Sequence, residues 1–312
     1  MNKIIYIAII AIILVPWDRF GLPVVTAPIA LLAGLIFAFT CKNPYPKFNK
    51  KCSKYLLQVA VVCLGFGMNL QESLRSGADG MLFSVVSVVS VMAMGVILGY
   101  AMHLNRKTAY LISSGTAICG GSAIAAVGPV LRADEDEMAV SLGVIFILNA
   151  VALFIFPPLG HLLDMSQAQF GTWAAIAIHD TSSVVGAGEV YGEEALQMAT
   201  LIKLTRALWI IPLAFATMFV FRDGSGKVSI PWFIFLFVLA MVANTYLPMP
   251  EWLTAALVWV ARRGMVVTLF LIGASLSLAT VRQVGVKPLL LAVALWILIG
   301  VSSLLVVLNT ID

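Results

Sequence analysis

The sequence predicts an all-α polytopic membrane protein, and three observations predict it. Hydrophobic residues make up 61% of the 312 residues, charged residues only 11%, and the mean hydropathy is +1.03; an ordinary soluble chain is about 45–50% apolar and about 25% charged. The apolar residues fall in long runs separated by short polar stretches, without the period-two alternation of a membrane-barrel strand. Backbone exposed to lipid has to satisfy its own hydrogen bonds, so such runs are helices. The composition excludes a soluble enzyme, a nucleic-acid-binding module, a collagen-like chain and a disordered chain. At about 20 residues per crossing, the length holds about nine to eleven membrane segments and leaves no room for a separate soluble domain.

The runs lie near 4–16, 24–40, 54–70, 81–103, 108–131, 138–163, 169–188, 196–221, 230–247, 264–280 and 287–309. The first follows Lys3 and resembles the core of a signal peptide. Pro16-Trp17-Asp18 stands where a small-x-small cleavage site would, so the run reads as a short retained span. Positive charge sets the orientation. Lys42, Lys47, Lys50, Lys51 and Lys54 mark one cytoplasmic loop, and Arg106/Lys107, Arg222/Lys227 and Arg282/Lys287 mark others. The stretches 161–168, 189–195 and 247–251 hold no Lys or Arg and face outward. The N-terminus is then cytoplasmic and the C-terminus outside. The net charge of +4 reports this topology rather than a nucleic-acid partner.

Internal symmetry is the most informative feature. Leu64-Gly-Phe-Gly-Met-Asn-Leu aligns with Ile272-Gly-Ala-Ser-Leu-Ser-Leu at an offset of 208, which pairs Gly65 with Gly273, Asn69 with Ser277 and Gly77 with Gly285. Pro28, Pro44 and Pro46 match Pro231, Pro248 and Pro250 with one residue of slippage. A second match, at an offset of 60, lays Ala117-Ile-Cys-Gly-Gly-Ser-Ala against Ala177-Ile-His-Asp-Thr-Ser-Ser. If 108–131 and 169–188 both crossed the membrane they would be parallel, and the uncharged 161–168 loop would lie inside, against the charge rule. If each is a re-entrant hairpin, the two are inverted copies entering from opposite sides. The prediction is therefore about nine spanning helices plus two opposed hairpins, with 24–163 a first repeat region and 169–309 a second, permuted and inverted one.

The hairpin tips, expected as non-helical stretches at 113–122 and 178–183, carry the candidate site. A Gly120-Gly121 pair can break a helix, and the half-helix beyond it would offer free N–H groups to an anion. Thr116, Cys119 and Ser122 flank that pair. In the second tip, His179-Asp180 is an expensive pair inside an apolar segment, followed by Thr181 and Ser182. The next helix carries Gln197, Thr200, Lys203 and Arg206 at spacings of three. Counted from 196, Arg206 lies about 15 Å down the axis, near the midplane, and needs a counter-charge. Asp180 or a bound anion would supply it, whereas the shallower Lys203 could snorkel outward. Asn69, Asn149 and Ser277 are weaker candidates for lining the cavity. Arg132-Ala-Asp-Glu-Asp-Glu137 reads as a solvated turn and Arg262-Arg263 as a headgroup anchor at the start of a span. Cys41, Cys52, Cys63 and Cys119 lack metal-ligand spacing, and His103 and His161 fall on opposite faces, so no metal or cofactor is expected.

Thr116-Ala-Ile-Cys-Gly-Gly-Ser-Ala-Ile-Ala-Ala, the charged turn with Glu137, and Gly171-Thr-Trp-Ala-Ala-Ile-Ala-Ile-His-Asp-Thr-Ser-Ser-Val-Val resemble a family of bacterial inner-membrane proteins catalogued, from genetic association, as sulfate exporters. That family is grouped with bile acid, arsenite and riboflavin transporters. The resemblance covers nearly the whole chain; its usual form has Gly-Thr where this chain has Gly120-Gly121. It implies a bacterial inner-membrane transporter.

The expected function is secondary transport of a small anion, held between the tips and driven by an H⁺ or Na⁺ gradient, since the chain has no phosphate-binding loop for ATP. An uncoupled anion channel is the alternative. An intramembrane enzyme lacks a nucleophile motif. The N-terminal span and segments two and nine carry few internal polar groups and would form a scaffold through which a homodimer assembles.

Overall fold

A computed structural model describes residues 2–15, 25–41, 44–221, 232–275 and 284–311, apart from the side chains of 47, 50 and 72–84. Among the described residues there are fourteen helices and no strand: α1 (Asn2–Leu14), α2 (Ala27–Thr40), α3 (Pro46–Gly65), α4 (Leu70–Ala101), α5 (Arg106–Ala117), α6 (Gly121–Val130), α7 (Glu135–Leu162), α8 (Gln167–Ala177), α9 (Thr181–Tyr191), α10 (Glu193–Ala207), α11 (Ile210–Val220), α12 (Trp232–Tyr246), α13 (Glu251–Ser275) and α14 (Val286–Thr310). Four stretches are long and apolar enough to cross a membrane: Glu135–Leu162, Glu193–Val220, Glu251–Ser275 and Val286–Thr310. Shorter apolar helices, among them α1, α2, α6 and α12, accompany them.

Two groups of helices pack side by side. In the first, α13 lies along both α2 and α3, α12 lies on α3, and α1 leans on α13. The helices approach closely where side chains vanish. A Cβ at Gly273 would sit 2.6 Å from the carbonyl oxygen of Leu31 on α2, and one at Gly65 would sit 2.7 Å from that of Phe237 on α12. Small residues let backbones meet in this way where lipid gives no hydrophobic drive to association. Tyr6, Phe37 and Phe270 cluster around this seam, and the Tyr6 hydroxyl donates to buried Asn49 Oδ1 at 2.5 Å.

The second group contains α4 to α11 and α14, and two of its helix pairs fold back. α6 returns along α5. Lys107, in the first turn of α5, donates to the Arg132 carbonyl just past α6 at 2.8 Å and lies 3.9 Å from Glu137. α9 returns along α8. Tyr191 at the end of α9 stacks on Phe170 near the start of α8 with ring centroids 3.8 Å apart, and its hydroxyl donates to the Met165 carbonyl at 2.6 Å. α10 then runs beside α8 in the same direction, its start held by Gln167, whose Oε1 accepts from Glu194 N–H at 3.0 Å.

Local sequence starts these helices. Asp134 and Glu137 form a capping box at α7, so the charged turn does more than meet solvent. Ser166 and Gln169 form a second at α8, and Asn105 caps α5. Each supplies acceptors to N–H groups that a helix start leaves open.

Two expectations are corrected. The helix containing Arg262 and Arg263 begins at Glu251, so the two arginines lie in its middle rather than at its start. They are accommodated there by partners: Arg262 pairs with Glu193, and the Arg263 guanidinium lies 5.9 Å from the Trp259 ring centroid. The first tip is also much narrower than 113–122. Residues 113–117 belong to α5, where the Ser113 and Ser114 hydroxyls bond back to the Ala109 and Leu111 carbonyls and need no break.

Candidate functional site

Both fold-back pairs turn through three residues, Ile118–Gly120 in one and Ile178–Asp180 in the other. The first turn depends on Gly120, whose φ of 64° and ψ of −126° belong to glycine. Gly121 is already the first residue of α6. The second turn uses no glycine. The N–H groups that the end of α8 leaves open are met by side chains: Asn149 Oδ1 on α7 accepts from His179 N–H at 3.1 Å and from Asp180 N–H at 3.0 Å. Asp180 caps α9, accepting from Ser182 N–H at 3.1 Å and from the Ser182 hydroxyl. The helix in this tip resumes at Thr181, so Thr181, Ser182 and Ser183 are helical rather than loop.

The two tips meet. A Cβ at Gly120 would lie 3.4 Å from both Asp180 N and His179 C. α10 joins them from the side with two wholly buried cations. Lys203 Nζ donates to the carbonyls of Ala175 at 3.2 Å and Ile178 at 2.7 Å, at the C-terminal end of α8. Arg206 donates through one terminal nitrogen to the Ala117 carbonyl at the end of α5, at 2.5 Å, and through the other to Ser87 Oγ on α4, at 2.7 Å. Each cation thus answers the negative end of a helix that stops inside the protein. The register explains their depth. Gln167 is level with Glu194, and both helices rise about 1.5 Å per residue, so Lys203 arrives beside the end of α8.

This changes two readings of the sequence. Arg206 leans on a helix end and on Ser87, and among the described residues no ion pair joins it to Asp180. Lys203 turns inward instead of snorkelling out.

Seven buried side-chain nitrogen or oxygen atoms among the described residues have no hydrogen-bond partner, and five belong to this junction: Thr116 Oγ1, Asn149 Nδ2, both ring nitrogens of His179, and Arg206 Nε. Buried polar atoms are normally paired, so this concentration sets the junction apart from the rest of the described residues. Cys119 is buried in the first turn, where its sulfur meets the Ser122 side chain and the Ala123 backbone. Ser122 is exposed and Asp180 half-buried, so the junction is not sealed.

Of the other expected lining residues, Asn69 stands apart. It lies between α3 and α4, and its side-chain oxygen accepts from Gln71 N–H at 2.8 Å. Ser277 lies outside the described residues. Sequence reasoning missed Ser87 and Trp296, whose indole N–H donates to the Ala177 carbonyl at 3.1 Å. A lone hydroxyl and a lone indole in apolar runs are the signals, but such residues are common in membrane helices.

The fold and the site define an all-helical membrane protein organised around two interrupted helix pairs. The chain belongs to the family described as Conserved hypothetical protein 698, whose model matches residues 2–292. It is 60% identical to a UPF0324 membrane protein of Bacteroides thetaiotaomicron over 97% of this chain and 94% of that one. A UPF0324 membrane protein of Porphyromonas gingivalis is 55% identical over 89% and 86% of the two chains, and one of Shewanella oneidensis is 45% identical over 90% and 89%. No solved structure matches the chain.

Proposed function

We propose that this protein is a secondary transporter of a small anion, sulfate or a related oxyanion or carboxylate, held between the two tips near the midplane of the bacterial inner membrane. The observation that carries this reading is the cluster of unpartnered polar atoms between the tips, four of whose five members can donate a hydrogen without question: Arg206 Nε, Asn149 Nδ2, Thr116 Oγ1 and one His179 nitrogen. Donors in excess, beside Lys203 and Arg206 with one carboxylate, suit an anion. The resemblance to the sulfate exporter family points the same way.

In this reading the fold-back pairs are re-entrant hairpins entering from opposite sides, within about nine spans. The inverted repeat is supported by a mirrored contact. Repeat mates Gly65 and Gly273 each pack on a carbonyl oxygen of the helix that matches the other's partner, Phe237 on α12 and Leu31 on α2. The group built on α2, α3, α12 and α13 serves as the scaffold, as a homodimer, and the hairpin-bearing group moves against it. The N-terminus is cytoplasmic and the C-terminus outside.

Two nitrogens of Arg206 hold the protein together, which leaves Nε for the anion. Arg206→Lys keeps the charge and loses that geometry. Anion binding should weaken by about 1.5–3 kcal/mol, roughly ten- to hundredfold, while the protein still inserts. Saturable counterflow of labelled sulfate in proteoliposomes tests the transporter. Flux that neither saturates nor shows counterflow would favour the alternative, an uncoupled anion channel.

A further inference from the structure

We infer that the anion travels with a proton on the His179 ring, so that loading the site takes up one anion and one proton together. This rests on the transporter reading above and names its coupling ion. His179 is wholly buried, and neither Nδ1 nor Nε2 has a partner, although its backbone N–H is held by Asn149. The uncommitted groups at the same junction are Arg206 Nε–H and the Asn149 amide hydrogens, both donors, and the Thr116 hydroxyl. An oxyanion brings only acceptors. An imidazole that carries both ring protons offers it two N–H groups, and a ring that carries one offers a single N–H and leaves a lone pair facing the anion.

The charges around the ring make a proton there depend on the anion. Lys203 and Arg206 on α10 act on His179. Lys203 also faces Asp180 in the second turn and Cys119 in the first. α5 contributes Thr116 and α7 contributes Asn149, neither charged. Two cations therefore stand against one carboxylate, and a proton on His179 adds a third positive charge. A bound anion offsets that charge, and by linkage the proton strengthens the anion's binding to the same degree. The proton comes from water on the loading side and returns to water on release. A sodium ion would need a cage of several oxygens, such as helix-end carbonyls or a carboxylate, but the carbonyls of Ala175, Ile178 and Ala117 already accept from Lys203 and Arg206. Asp180 is likewise engaged with the Ser182 N–H and hydroxyl.

The test is calorimetric titration of the purified full-length protein with sodium sulfate, in two buffers of very different ionisation enthalpy at one pH. A panel of sulfite, phosphate, methanesulfonate and acetate is run beside it. The heats should differ between buffers by the uptake of about one proton per anion, and affinity should rise by up to about tenfold per unit fall in pH. His179→Gln should bind the anion more weakly and lose both the buffer dependence and the pH dependence. His179→Asn replaces it if the Gln variant does not fold. Binding without proton uptake in the natural protein overturns the inference and leaves the transporter reading intact. Uptake that survives in the His179 variants also overturns it, because the proton then sits elsewhere. If no anion of the panel binds, the transporter reading itself fails and the inference falls with it.

Discussion

The two turns at the centre of the molecule have the same length and make the same reversal by different chemistry. Ile118–Gly120 turns because one residue lacks a side chain: Gly120 takes a φ of 64°, and its backbone lies against the opposite turn. Ile178–Asp180 turns with ordinary backbone angles, because Asn149 and Asp180 take the hydrogen bonds that the interrupted helix releases. The helix ends differ as well. Three carbonyls at the end of α8 are answered by Lys203 and Trp296, whereas Arg206 answers one at the end of α5. A backbone interruption inside a membrane protein can thus be supported by conformational freedom or by side-chain substitution. The second costs more polar residues and places a His and an Asp at the meeting point of the two turns.

That difference predicts unequal sensitivity. Asn149→Leu should be the most damaging single change, because it strips two buried N–H groups of their acceptor at about 1–3 kcal/mol each. The expected loss of about 2–5 kcal/mol would appear as a large fall in the unfolding midpoint of purified protein, and an unchanged midpoint would mean that the second turn does not depend on α7. Gly120→Ala comes next, at about 1–3 kcal/mol of backbone strain. Gly121→Ala is its control. A Cβ there meets the Leu142 side chain at 3.3 Å, inside a regular helix; the change should stay within about 0.5 kcal/mol, since alanine is the better helix former. Equal effects at the two glycines, read by the same midpoint, would remove the special role of Gly120. Asp180→Ala should have a smaller effect than either of the first two, about 1 kcal/mol for a lost helix cap. It should also speed proteolysis or hydrogen exchange near the start of α9, because the free N–H groups lie there.

Much of this was legible in the residues. Gly120-Gly121 stands out because a glycine pair can break a helix, and His179-Asp180 because it puts ionisable groups into an apolar run; the offset of 60 between them marks two versions of one device. The capping pairs Asp134/Glu137 and Ser166/Gln169 are likewise written in plain spacing. Other features were hidden for physical reasons. Ser113 and Ser114 suggested a loop, but hydroxyls that bond back one turn are compatible with a helix. Arg262 and Arg263 suggested a membrane boundary, yet a partner elsewhere in the chain lets a charge stand in mid-helix, as Glu193 does for Arg262.

By itself the sequence determined that the chain is a bundle of apolar helices in a membrane and that two of its segments cannot run through unbroken. Those properties follow from local chemistry, namely the solvation of side chains and the conformational range of glycine. Only the tertiary structure decided which groups answer the broken ends. Lys203 and Arg206 are three residues apart on one helix, yet one closes α8 and the other closes α5 and reaches Ser87. That assignment depends on how α10 is registered against α8 and on which helices surround it. Side-chain spacing within one segment holds no record of either.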